Sequence, residues 1–126
     1  MSLEQDVTMT EEPLPFDKIH SLLSARHRRY TLYCLYLYTN PIYLPDVAGQ
    51  IAEWKHGRPE DELLDERLDI YISLYHNHIP KLADAGVVSY SQDEDMVELG
   101  CNAQQIRPHL EQAAEKDLAP SDMSLA

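Results

Sequence analysis

The sequence predicts a mainly α domain with a small β-hairpin, followed by a C-terminal amphipathic helix. Three observations predict it. Apolar residues recur at helical spacing over most of residues 16–85. Directly after Ala85-Gly86 the pattern changes to two short strand-like runs around a polar turn. The chain has 126 residues and a hydrophobic fraction of 44%, enough to bury a single core.

The first element is a short helix that Asp17 can cap, with Ile19, Leu22 and Leu23 inward. Ser24 then reads as the cap of a second helix from Arg26 to Tyr38, with Leu32, Leu35 and Tyr36 at helical spacing. Asn40-Pro41 ends it, because a residue before proline avoids the α region. Ile42-Tyr43-Leu44 is a strand candidate, and Pro45 suits the first turn of the next helix. Val47, Ile51 and Trp54 give that helix one apolar face, and Gly57 with Pro59 stops it. Glu60 to Leu64 reads as a short acidic turn or helix. A long helix follows over about 66–85, with Leu68, Tyr71, Ile72, Tyr75, Ile79 and Leu82 as its expected inner set. Gly86 ends it in the left-handed conformation.

Val87 to Tyr90 and Met96 to Leu99 are the two strands, and Ser91 to Asp95 is the polar tip between them. Ile106, Leu110, Ala114 and Leu118 mark the C-terminal helix, which Pro108 must either delay or kink. Three helices around one core, the last running straight into a hairpin that closes the open side, make a winged helix-turn-helix domain. The expected division is a flexible acidic segment at 1–15, the winged domain at 16–100, the C-terminal helix at 101–118 and a disordered tail at 119–126.

Three blocks carry a resemblance. Leu23-Ser24-Ala25-Arg26-His27-Arg28-Arg29-Tyr30 opens the second helix, Ala48 to Lys55 contains Ile51-Ala52-Glu53-Trp54, and Leu74 to Leu82 contains His76, His78 and Pro80. In this order, over about residues 16–99, they resemble a haloarchaeal family of winged-helix domains of the ArsR and MarR type. The resemblance implies the winged-helix fold and, more loosely, transcriptional regulation.

Composition narrows the function further. The formal charge is -12, from 22 acids against 10 bases. Such a surface repels nucleic acid at low ionic strength and suits a very salty cytoplasm. The bases concentrate in residues 13–58 and the acids in residues 59–126. No apolar run is long enough for a membrane span, the N-terminus reads as no secretory signal, and two cysteines form no disulfide framework. A cytoplasmic, homodimeric DNA-binding regulator is the first expectation. A winged-helix protein–protein interaction module without DNA binding is its alternative.

For DNA, Ser73, His76, Asn77 and Lys81 are the candidates nearest the bases, because they fall on the outer side of the long helix as phased above. Arg26, Arg28 and Arg29 are the phosphate candidates, with internal pairing to acids as the competing role. The hairpin carries Asp93, Glu94, Asp95 and Glu98, which would repel phosphates and suit a protein partner. Tyr30, Tyr33 and Tyr36 form a stripe expected at a homodimer seam, with Leu110 and Leu118 of the C-terminal helix beside it. No metal site is expected, since His76 and His78 point to different sides of a helix and Cys34 sits on an apolar one. No cofactor or catalytic residue is expected either, for there is no phosphate loop or nucleophile elbow.

Overall fold

A computed structural model describes residues 13–118. The expected flexible segment, apart from 13–15, and the expected disordered tail lie outside the described residues. Helix α1 (Phe16–Leu23) leads into α2 (Arg26–Leu37), then strand β1 (Ile42–Tyr43) and α3 (Leu44–His56). A 3-10 turn (Glu60–Glu62) precedes α4 (Leu64–Ser73). A π-turn (Leu74–His78) joins α4 to α5 (Ile79–Asp84). Strands β2 (Val88–Ser91) and β3 (Met96–Leu99) form the hairpin, and α6 (Ala103–Asp117) closes the described chain. The sheet is antiparallel in the order β1-β3-β2, with Ile42 opposite Val97 and Tyr90 opposite Val97 on its other side. Helices α2, α3 and α4–α5 with this small sheet are the architecture of a winged helix-turn-helix domain, with α6 added.

The core is one cluster. Leu32 and Leu35 of α2, Val47 and Ile51 of α3, Leu74, Ile79 and Leu82 of the long helix, and Val87 and Val97 of the sheet are all buried. Ile106, Leu110, Ala114 and Leu118 bury the expected face of α6. Pro108 lies inside that helix, exposed, and the helix runs on through it. Among the described residues, no helix is long and apolar enough to cross a membrane.

Two expected caps are different. Pro15 occupies the cap position of α1, so Asp17 falls in the first turn, where its charge meets the helix dipole without a capping bond. Ser24 closes α1, its hydroxyl donating to Ser21 O at 2.7 Å, and Ala25 precedes α2.

The long helix is also phased differently. Leu63, Ile70, Leu74, His78, Ile79 and Leu82 face the core, Tyr71 and Tyr75 are half-buried, and Leu68 and Ile72 lie outside. The reason is the π-turn. Ile79 N–H donates to Leu74 O, five residues back, so one extra residue enters the helix and the inward phase jumps from His78 to Ile79. Pro80 follows at once. It lacks an N–H, and its ring would press on the carbonyl four residues back in a regular helix. A uniform 3.6-residue period, fitted backwards from Ile79 and Leu82, selects the wrong face of α4.

Two glycines fix the start and end of the hairpin. Gly86 has φ +75°, and a Cβ on Gly100 would stand 2.4 Å from Gly86 O. Gly57 has φ +68° with open space around it. Gly57→Ala should therefore cost only the left-handed backbone term, about 1 kcal/mol. Gly100→Ala meets backbone that cannot rotate away and should cost clearly more. Urea unfolding of the two variants side by side checks this order.

Candidate interaction surfaces

The basic start of α2 mostly faces inward. Arg28 is only 6% exposed. Its Nε donates to Leu22 O at 2.7 Å and its Nη2 to Ser21 O at 3.0 Å, so the guanidinium caps the C-terminal end of α1. Its Nη1 donates to His78 Nδ1 at 3.0 Å. Arginine has no acceptor, so Nδ1 of His78 is the acceptor and the ring is neutral with its proton on Nε2. Burial first, then the charges of Arg28, His27 and Lys81, lower the His78 pKa to about 4.

Arg29 is also engaged. Its guanidinium meets Asp117 at 2.6 Å and donates to Leu23 O at 2.8 Å. Tyr33 donates its hydroxyl to the same Asp117 at 2.8 Å. Burial alone would raise the Asp117 pKa; the hydrogen bonds from Arg29 and Tyr33 outweigh it and hold the carboxyl below its usual value. The two partners fix the last turn of α6 against α2. Tyr33 is accordingly buried, Tyr30 is buried beside Trp54 of α3, Tyr36 is half-buried with Arg107 over its ring, and Leu110 of α6 and Leu118 at its end are buried. Tyr33 and Tyr36 of the expected seam thus meet α6 within the chain, and a groove lined by Tyr33, Tyr36, Leu110 and Leu118 stays open between α2 and α6.

Arg26 alone of the three arginines is exposed. Its charge and that of Lys55 reach His27, that of Lys81 reaches His78, and Arg26 also acts on Asp117. The His27 and His78 rings meet edge to face at 5.4 Å. Burial, then Lys55 and Arg26, lower the His27 pKa, and Lys81 acts on His78 in the same sense. His76, Asn77 and Lys81 are exposed on the second half of the long helix, while Ser73 is half-buried.

The first half of that helix is another surface altogether. Leu64, Leu68 and Ile72 are 62%, 57% and 47% exposed and follow one another at i, i+4 and i+8. Sequence reasoning placed Leu68 and Ile72 inside. The missed signal is Ile70 and Leu74, an aliphatic pair four apart that competes for the core. Beside this ridge lies a groove of about 280 Å³ lined by Pro45, Leu64, Arg67, Leu68, Tyr71 and Asp95. Arg67 is occupied by Glu60 at 3.2 Å, by Asp46 at 4.0 Å and by Pro45 O.

The hairpin is tied to the same surface. Tyr71 donates to Asp95 at 2.7 Å and Tyr90 donates to its other oxygen. Burial, then the hydrogen bond to Asp95, raises the Tyr71 pKa to about 12. Asp95 has φ 55°, and its carbonyl accepts from Leu44 N–H at 2.8 Å. One of the four hairpin acids is therefore structural, and Asp93, Glu94 and Glu98 stay exposed.

A family model described as a domain of unknown function, DUF7344, matches residues 20–98. The chain belongs to this family. The DUF7344 match runs from within α1 to the end of β3, and α6 lies beyond it. No curated protein and no solved structure matches the chain. Among the described residues of this DUF7344 chain, no group of three or more His, Cys, Asp or Glu side chains could hold a metal ion. Cys34 is buried, and that burial raises its thiol pKa.

His78 titrates near pH 4 in the folded chain and near 6.5 when unfolded, so the unfolded state binds the extra proton between those values. The stability this group contributes is complete above about pH 6.5 and is lost as the pH falls toward 4. Thermal melts from pH 7 down to pH 5 should show Tm falling, and falling less steeply in His78→Gln, which keeps an acceptor for Arg28 but cannot take a proton. Asp117→Ala leaves Arg29 and Tyr33 without their shared acceptor and should cost about 1.5–3 kcal/mol in urea unfolding.

Proposed function

We propose that the chain is a winged-helix regulator that works by docking a protein on the exposed face of α4, without gripping DNA in the usual way. One observation carries this reading. In a helix-turn-helix the N-terminal residues of the recognition helix meet the base edges. Here those residues are Leu64, Asp65, Glu66, Arg67, Leu68 and Asp69, so that half is aliphatic and acidic, and its one arginine is already paired. The groove beside them is continuous with the hairpin through Asp95, and the hairpin adds Asp93 and Glu94. Phosphates are repelled by such a rim, whereas exposed apolar side chains framed by polar ones mark protein contacts.

A photo-crosslinking residue placed at Leu68 in the full chain, irradiated in cells, tests the reading. Covalent protein adducts at Leu68, absent when the same residue replaces the exposed Glu115 of α6, support it. Adducts to nucleic acid at Leu68, or none, overturn it.

A second reading, duplex DNA binding, is favoured by Arg26, Lys55 and Lys81, whose charges reach His27 and His78. Binding there would rest on phosphate contacts and weaken steeply with salt. Duplex binding measured over a salt series, and lost in Lys55→Glu with Lys81→Glu, would support it. Binding unchanged in that variant would remove these cations from consideration.

A further inference from the structure

Resting on the protein-docking reading, we infer that the occupant of the α4 face is an amphipathic helix with basic flanks, supplied by another protein. The ridge of Leu64, Leu68 and Ile72 runs about 12 Å along α4, roughly two helical turns. Residues four apart on one helix form the ridge that seats in the groove of another, and the groove of about 280 Å³ beside Leu64 and Leu68 offers the reciprocal seat. An apolar helix face laid in such a groove is a recurrent mode of peptide recognition.

Charge chooses among the possible occupants. Asp65, Glu66 and Asp69 stand exposed along α4, Asp46 at the start of α3, and Asp93 and Glu94 at the hairpin tip. The cation on this face, Arg67, is held by Glu60 and Asp46. A second copy of the chain would bring one acidic rim against another, which costs free energy in any register. A duplex or an acidic peptide meets the same repulsion. A helix with leucines on one side and lysines or arginines along both edges of that side buries the ridge and pairs the rim.

The test uses the full chain and two peptides of about four helical turns. One consists of leucine and lysine in amphipathic order; the other has glutamate in place of lysine. The lysine peptide should bind saturably by fluorescence anisotropy. Leu68→Ser with Ile72→Ser should weaken it at least about tenfold while circular dichroism stays that of the wild type, since both side chains lie outside the core. The glutamate peptide should not bind. Equal binding of the lysine peptide to the double variant means charge attraction without the ridge, and overturns the inference. So does binding of the glutamate peptide, although the α4 face would then still be a protein-docking face. A wild-type dimer in sedimentation that the double variant lacks and the lysine peptide does not dissociate assigns the face to a second copy. That outcome also overturns the basic helix while leaving the docking reading intact. Absence of both peptide binding and Leu68 crosslinks removes the two together.

Discussion

A buried guanidinium holds the domain's centre. Arg28 carries a full charge into a largely buried place, and a charge so placed is tolerated only when its nitrogens find partners. It finds them in the last carbonyls of α1, where the helix dipole is negative, and in a neutral histidine from the π-turn. The successive helices α1 and α2 and the turn between α4 and α5, fifty residues on, are fixed to one another by that single side chain. Lysine could not replace it, because a point charge lacks the planar fork that reaches three acceptors at once. The neutrality of His78 follows from the same geometry, since a second proton would have to sit on the nitrogen that faces the guanidinium.

The same interaction determines what the surface offers. With Arg28 caging the turn and Arg29 anchoring α6 through Asp117, two of the three charges in the basic run are used to build the molecule. The π-turn that delivers His78 also rotates the first half of the long helix relative to the second. Its inward side becomes Ile70 and Leu74, so Leu68 and Ile72 are left outside. Exposed aliphatic side chains here are therefore a consequence of how the core is assembled, framed by acids that keep the face soluble. The long helix has two characters because it has two phases: an aliphatic and acidic half before the turn, and a polar half with His76, Asn77 and Lys81 after the turn begins.

Much of the architecture was legible in the sequence, because its signals are local and each has one physical meaning. Gly57 and Gly86 stop helices, and both have positive φ. Pro45 stands in the first turn of α3, and the Val87-Val88 run after Gly86 begins a strand. The face of α6 follows a plain four-residue repeat of apolar side chains. What sequence reasoning could not reach depends on long-range partners. Nothing near Arg28 in the chain says that its acceptor lies fifty residues away, or that Asp117 would claim Arg29 and Tyr33 together. The tyrosine stripe was visible as a stripe, but nothing showed that Tyr33 and Tyr36 would meet the chain's own last helix while Tyr30 meets Trp54. The phase of α4 failed for a different reason. Period arguments assume one helix geometry throughout, and a proline four residues from His76 signals that the geometry changes there.

The attachment of α6 narrows the apolar surface that is open to a partner. Tyr30 is buried against Trp54 of α3, their ring centroids 5.2 Å apart, and Asp117 of α6 takes up the Tyr33 hydroxyl. The groove left between α2 and α6 keeps only the edges of Tyr36, Arg107 and Glu111 around an apolar floor. Among the described residues the exposed large apolar side chains are Phe16, Tyr38, Tyr43 and the three of α4, and Leu64, Leu68 and Ile72 stand in line on one helix. Hydrophobic free energy is gained only where water is displaced, so covering that ridge would add apolar free energy to an association there. The charges around it cannot supply comparable affinity, being exposed and screened by salt, but they set which partner is admitted.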